Sequence, residues 1–76
     1  MMYSHSLFFD MISDVDDATE WIQDNMEEMA YSAVLPDTAT GAIELNFYTH
    51  DTLSEREQRT LVSATSPRRY TFNNEE

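Results

Sequence analysis

Residues 16–29, DDATEWIQDNMEEM, form the stretch that decides how this chain can fold. At the 100° turn of an α-helix, their apolar and acidic side chains separate onto opposite faces. The apolar face would hold Ala18, Ile22, Met26 and Met29, joined by Ala30 and Ala33 if the helix continues that far. The acidic face would hold Asp17, Glu20, Asp24, Glu27 and Glu28. The pattern predicts a helix that buries Ile22, Met26 and Met29 and turns a row of carboxylates outward.

The residues on either side predict where this first helix begins and ends. Ser13 and Asp16 have the spacing of a capping box, so the helix should begin near residue 15. Residues 5–12 should then form a separate strand. The helix should end between residues 28 and 34. In AYSAVL, residues 30–35, the side chains also alternate as in a strand, so helix and strand both stay open for this segment.

Two further strands are predicted, one in the middle of the chain and one near its end. Residues 42–49, AIELNFYT, follow a turn at Gly41 and alternate between apolar and polar side chains. The residues on the core side should be Ile43, Leu45 and Phe47. Residues 68–73 should form the last strand. The residues sharing one of its faces should be Tyr70 and Phe72. Residues 74–76 should be a frayed tail.

A second helix is predicted over residues 53–64, because two overlapping capping boxes precede it. One pairs Thr52 with Glu55, and the other pairs Ser54 with Glu57. The helix should end at the following Ser-Pro pair, since the residue before a proline disfavours helical geometry. Its buried residues should be Leu53, Leu61 and Ala64.

This order of elements predicts an α+β fold in a single domain over residues 1–76. It would contain a small antiparallel sheet of three or four strands with two helices on one face. Four strands would give the β-α-β-β-α-β order of ferredoxin-like folds.

Charge is the most informative property of the composition. Fifteen Asp and Glu residues stand against four Arg and no Lys, for a net charge of −11. Such a field repels nucleic acid and anionic membranes and draws the protein towards basic partners. The chain has no cysteine, no basic leader and no long apolar run, which is typical of a cytoplasmic protein. Adaptation to high salt stays open as another reason for the acidity.

The sequence contains no set of residues that indicates catalysis, a cofactor or a metal site. His5 and His50 are the only histidines, and strand alternation places them on different faces, so they should not converge on one site. Because both lie near strand ends, they are interpreted as surface residues. His50 and Asp51 would need further ligands to hold a metal. A glycine-rich phosphate loop and a Gly-x-Ser-x-Gly motif are both missing. We therefore predict a protein that is not an enzyme and needs no cofactor.

One short segment, LSERE at residues 53–57, is similar to the opening of the helix-turn-helix in LuxR-type regulators. The recognition helix of that motif should follow after Val62, but a Ser-Pro pair and strand-like residues stand there instead. The net charge also opposes direct DNA binding. The arginines are expected to pair with nearby carboxylates; they are Arg56, Arg59, Arg68 and Arg69.

The acidic row of the first helix is the best candidate for function. Its five carboxylates span eleven residue steps, or about 16 Å. The resulting spacing of about 3–4 Å per charge is close to that of phosphates along one DNA strand. Trp21 lies where the acidic and apolar faces meet and would add an apolar contact. The predicted partner-binding residues are Asp17, Glu20, Trp21, Asp24, Glu27 and Glu28.

These features predict an inhibitor that blocks the nucleic-acid-binding surface of a basic protein by imitating DNA. In charge and size the chain resembles, as a class, the small phage- or mobile-element-encoded anti-CRISPR and anti-restriction proteins. Two alternatives stay open: an accessory subunit that binds a partner through the sheet, and a domain whose charge serves solubility alone. Tyr31 and Tyr48 could contribute to a partner surface or, on an apolar outer sheet, to a homodimer.

Overall fold

A computed structural model describes residues 2–26, 29–36 and 41–73, with the backbone alone at residues 29–33. Within these residues, four strands and two helices follow one another in the order β-α-β-β-α-β. They are β1 (Tyr3–Phe9), α1 (Ile12–Asn25), β2 (Met29–Pro36), β3 (Ile43–Thr49), α2 (Glu55–Thr65) and β4 (Arg69–Phe72). The predicted α+β class is confirmed.

The strands form one sheet in the order β2-β3-β1-β4. The three neighbouring pairs, β2–β3, β3–β1 and β1–β4, are all antiparallel. The β2–β3 connection is a hairpin, whereas each helix connects two strands that have a third strand between them. This order is the one that the split β-α-β arrangement of ferredoxin-like folds requires.

Both helices pack on the same face of the sheet, because their buried residues join the inward residues of β1 and β3 in one cluster. The cluster consists of Leu7, Phe9, Val15, Ala18, Ile22, Leu45, Phe47, Leu53 and Leu61. Burial of the inward side of 42–49 is therefore confirmed at Leu45 and Phe47, with Ile43 packed at the edge of the cluster. At about 25 cal/mol per Å² of apolar surface, this cluster supplies the main stabilising contribution to folding.

The first helix and the strand before it begin and end earlier than predicted. β1 covers residues 3–9 rather than 5–12, and it ends where its neighbour β3 begins, with Phe9 opposite Ile43. α1 then begins at Ile12 and is preceded by Met11, whose side chain makes no capping hydrogen bond. The predicted capping box at residues 13 and 16 is wrong, because both residues already lie inside the helix. The earlier start places Asp14 in the first turn, near the positive end of the helix dipole.

The segment that was open between helix and strand is a strand. α1 ends at Asn25 with a hydrogen bond from the N–H of Met26 to the carbonyl of Ile22, 2.7 Å away. β2 then pairs with β3 along its length, with a register shift between Met29 and Tyr31. Of the three predicted core residues of α1, Ile22 is buried and Met26 packs against the cluster. The side chain of Met29 lies outside the described residues.

The capping box at the start of α2 is confirmed for the pair Ser54 and Glu57. The N–H of Glu57 donates to Ser54 Oγ at 3.1 Å, and the N–H of Ser54 donates to Glu57 Oε1 at 3.0 Å. Hydrogen bonding to the carboxylate, first from the backbone N–H of Ser54 and then from its side chain, holds the pKa of the Glu57 carboxyl below its usual value. Leu53 and Leu61 are buried as predicted, but Ala64 is exposed, so that prediction is wrong.

The residues after α2 follow the predicted course. The helix ends at Ser66, whose φ of 50° is left-handed and whose N–H donates to the carbonyl of Val62 at 2.8 Å. β4 then brings Tyr70 and Phe72 onto one face, with their ring centroids 5.5 Å apart. Gly41 has a φ of +77°, a conformation that glycine adopts without strain, in agreement with the predicted turn. The predicted tail at 74–76 lies outside the described residues.

The two predicted capping boxes can be compared directly by experiment. Replacing Ser54 with alanine should lower the free energy of unfolding by about 1 kcal/mol, because it removes the side-chain acceptor for an otherwise unpaired helix N–H. The matched variant Ser13→Ala should change it by less than about 0.5 kcal/mol, because exposed Ser13 lies within α1 and does not cap it. Urea denaturation followed by circular dichroism measures both. Equal losses in the two variants would contradict the assignment of the caps.

Candidate functional site

The outward side of α1 carries the predicted acidic residues. Asp17, Glu20 and Asp24 are exposed, whereas Ala18 and Ile22 on the opposite side are buried. The spacings of three and four residues place the three carboxylates along one stripe. The remaining two predicted acidic residues, Glu27 and Glu28, lie outside the described residues. The described part of the row therefore extends over seven residue steps, or about 10 Å.

Two acidic residues that were left out of the prediction belong to the same surface. Asp14 is helical because α1 begins at Ile12, Asp16 was already inside the predicted helix, and both are exposed. From Asp14 to Asp24 the helix carries five exposed carboxylates over ten residue steps, or about 15 Å. At 100° per residue they cover a broad arc of the helix rather than a single line. We call these five residues the α1 acidic face: Asp14, Asp16, Asp17, Glu20 and Asp24.

Two of the four arginines pair with carboxylates outside this face. Arg59 pairs with Glu55 of the same helix at 3.2 Å, and Arg68 pairs with Asp10 at 2.9 Å. The predicted pairing with nearby carboxylates is thus confirmed for these two arginines. The guanidinium of Arg69 lies 4.2 Å from the centre of the Phe8 ring. The two ion pairs within residues 2–26, 29–36 and 41–73 leave the α1 acidic face without a bound arginine.

Trp21 lies between the α1 acidic face and the core, as predicted. It is half-buried and packs against the core cluster from its edge. Its ring lines two shallow grooves between α1 and α2, one of about 260 Å³ shared with Arg56, and one shared with Arg59. The carbonyl of Trp21 accepts a hydrogen bond from Asn25 Nδ2 at 2.9 Å. Trp21 therefore serves the core and still presents part of its ring to solvent beside the carboxylates.

A third groove, of about 330 Å³, lies where the end of α1 meets the start of α2. Asp24 and Glu57 both line it, together with Thr49 and Thr52. The Glu57 carboxylate already accepts the N–H of Ser54, and Asp24 is exposed. The groove continues the α1 acidic face around the end of the helix.

The two histidines differ, and the prediction for one of them is wrong. His50 is exposed as expected, but His5 is only 1% exposed. His5 shares the inward face of β1 with Leu7, and that face is the one that the helices cover. Its Nε2 lies 3.0 Å from the hydroxyl of Thr49. Burial lowers the pKa of His5 below the usual value, because the charged form loses hydration.

The outer face of the sheet is mixed in character. The Ser6 hydroxyl lies 2.9 Å from Glu44 Oε2 and 3.1 Å from Asn46 Oδ1, and Tyr48 is half-buried on the same side. Phe8 is nearly buried there beneath Arg69. The side chain of Tyr31, which was predicted to contribute to this surface, lies outside the described residues.

The chain matches no protein-family model, no curated protein and no solved structure. Among the residues that the structure describes, no group of three or more His, Cys, Asp and Glu side chains could hold a metal ion. Neither α1 nor α2 is long and apolar enough to cross a membrane, and the described chain holds no other helix that is.

Proposed function

We propose that this protein is a non-catalytic inhibitor that occupies the nucleic-acid-binding surface of a basic partner by imitating DNA. The observation that carries the proposal is the α1 acidic face, with five exposed carboxylates over about 15 Å. The mean spacing of about 3–4 Å per charge is close to the 3.4 Å between phosphates along one DNA strand. A rigid helix holds these charges in place before the partner binds, which reduces the entropic cost of binding.

Charge would direct the encounter, and shape would select the partner. The net charge of −11 accelerates association with a basic surface and disfavours other acidic proteins. Lys and Arg side chains of the partner would pair with Asp17, Glu20 and Asp24. The exposed part of Trp21 would add an apolar contact, as aromatic residues at the centre of interfaces commonly do.

The class of protein that best fits this role is the small phage- or mobile-element-encoded antagonist of host defence, of the anti-CRISPR or anti-restriction type. Such a protein would act in the cytoplasm of the host cell. Its partner would be a protein or complex that binds nucleic acid through basic side chains, and it would itself contact neither nucleic acid nor a membrane.

A second candidate is an accessory subunit that binds a partner through the sheet without imitating DNA. It is favoured by the apolar residues that the sheet leaves exposed at its β2 edge. Val34 and Leu35 are 49% and 45% exposed, and none of the eight residues of β2 carries a charge. An edge strand of this kind is open to pairing with another chain.

Competition separates the two candidates. The immobilised protein is used to capture partners from a nuclease-treated lysate of the source cells, and the captured protein is purified. A fluorescent DNA duplex is then bound to that partner, or to its guide-loaded complex, and the acidic protein is added. We expect displacement of the duplex, with affinity falling markedly between about 50 and 500 mM NaCl as charges are screened. Simultaneous binding of both would overturn mimicry and support the accessory subunit.

A further inference from the structure

The hydrogen bonds around His5 determine which nitrogen of its ring carries the proton. The hydroxyl of Thr49 has one proton, which it donates to the carbonyl oxygen of Asp51 at 2.7 Å. Thr49 Oγ1 must therefore accept at its 3.0 Å contact with Nε2 of His5. Nε2 is then the protonated nitrogen and Nδ1 carries a lone pair. Nδ1 is buried, and no described residue offers it a hydrogen-bond partner.

The surroundings of the ring are aromatic. The centroid of His5 lies 5.1 Å from that of Phe47 on β3 and 5.6 Å from that of Phe72 on β4. A second proton on Nδ1 would add a positive charge and an unpaired N–H donor to this buried site. Both are costly at a buried site where no described residue accepts a hydrogen bond from Nδ1.

No described carboxylate forms a hydrogen bond or an ion pair with the ring. The nearest acidic groups on α1 and α2 are Asp24 and Glu57, which line the groove that Thr49 also lines. On its own face of the sheet, the titratable neighbours are Tyr3 of β1 and Tyr70 of β4. After β3, His50 and Asp51 are exposed, and Asp51 contributes its backbone carbonyl to Thr49. Near Phe72, the charged residues on α2 are Glu55 and Arg59, which pair with each other at 3.2 Å. The bonds and ring contacts of His5 are those with Thr49, Phe47 and Phe72.

We propose that His5 is a pH-sensitive latch: while neutral it holds β1 to β3, β4 and the β3–α2 connection, and on protonation it releases them. His5 is placed for this because its Cα lies opposite Phe47 on one side and Phe72 on the other. Its partner Thr49 also fixes the backbone of Asp51, where the chain leaves the sheet for α2. Protonation at one atom therefore acts on three elements.

The direction of the pH dependence follows from the two states of the protein. In the unfolded chain His5 should titrate near its ordinary pKa of about 6.5. In the folded protein burial lowers that pKa, so between the two values the unfolded state binds more protons. The stability is then complete above about pH 6.5 and is lost as the pH falls from there towards the lower folded pKa.

Denaturation at several pH values tests the latch. Between about pH 6.5 and 5.5 the unfolding constant of the wild type should rise by up to about fivefold through His5. His5→Gln keeps an amide donor for Thr49 but cannot titrate, and it should lack this added slope. The matched variant His50→Gln, which removes the exposed histidine, should keep it. Carboxylate titration is common to all three proteins and cancels in the comparison. An equal slope in wild type and His5→Gln, or its loss in His50→Gln, would overturn the proposal.

A second measurement keeps the proposal testable if His5→Gln does not fold. Imidazole nitrogen shifts in the wild-type protein distinguish the two neutral tautomers and report protonation directly. We expect the Nε2–H form at neutral pH, and we expect His5 in the folded protein to stay neutral as the pH falls through its ordinary pKa of about 6.5. A proton on Nδ1 at neutral pH, or titration near pH 6.5 in an intact fold, would show that His5 is not a latch.

Discussion

Replacing Phe47 with alanine is expected to destabilise the protein by about 3–5 kcal/mol. Phe47 is 0% exposed and lies on the inward face of β3, between the helices and the sheet. Its removal deletes apolar contacts and leaves a cavity that the surrounding residues cannot fill by relaxation. A domain of 76 residues has a core that rarely supplies more than about 3–5 kcal/mol of net stability. Most molecules of the variant should therefore be unfolded even without denaturant.

The matched control for this prediction is Tyr70→Ala, which truncates an aromatic residue that is 50% exposed. Tyr70 contacts the ring of Phe72, so its loss should cost about 0.5–1.5 kcal/mol and leave a cooperative transition. Circular dichroism during urea denaturation measures both variants. A Phe47→Ala protein with nearly wild-type stability would mean that the core lies elsewhere than on the inward faces of β1 and β3.

The inward faces were predictable from the sequence because alternation and helical spacing are local signals. Ile22, Leu45 and Phe47 were predicted to be buried from their spacing alone, and each is. Pairing between distant segments leaves no such signal. Residues 30–35 fit helix and strand equally well by sequence, and β3 decides between them by supplying hydrogen-bond partners to β2. The end of α1 was not predictable for the same reason, because the pairing of β2 with β3 takes residues 29–36 out of the helix.

The interpretation of His5 failed for a related reason. Alternation correctly placed it beside Leu7 on one face of β1, but histidine near a strand end is commonly a surface residue. Its burial depends on Thr49, 44 residues away, whose hydroxyl satisfies Nε2. A polar residue can be buried where such a partner exists, and the sequence does not show which partner the fold will supply.

The candidate site was predictable to a different extent. The exposure of Asp17, Glu20 and Asp24 followed directly from the helical wheel. Asp14 was missed because an apparent capping box placed the start of the helix after it, and Asp16 was assigned to that capping box. The signal that could have included them is the acidic first turn, which is favourable at the positive end of a helix whether or not a side chain caps it.

Reversing the charge of the α1 acidic face is expected to weaken binding to the captured nucleic-acid-binding partner by at least about tenfold, or 1.4 kcal/mol. The variant is Asp17→Lys with Asp24→Lys, two exposed residues on one stripe of α1. Lysines at these positions would place like charges against the basic surface of the partner, which slows association and costs more than loss of the pairs alone. The wild type and the variant are compared by titration into the purified partner at low salt.

The control variant must carry the same net charge, so that a change in the overall field is separated from the loss of a specific face. Asp10→Lys with Glu44→Lys meets this condition: each double variant has a net charge of −7 instead of −11. Asp10 lies between β1 and α1 and pairs with Arg68, and Glu44 lies on the outer face of the sheet, so neither belongs to the α1 acidic face. If the α1 acidic face is the contact, the control should bind nearly as well as the wild type and lose only the part that depends on long-range attraction. Equal weakening of both variants would show that net charge alone drives binding. Weakening of the control alone would place the contact on the sheet and favour the accessory subunit.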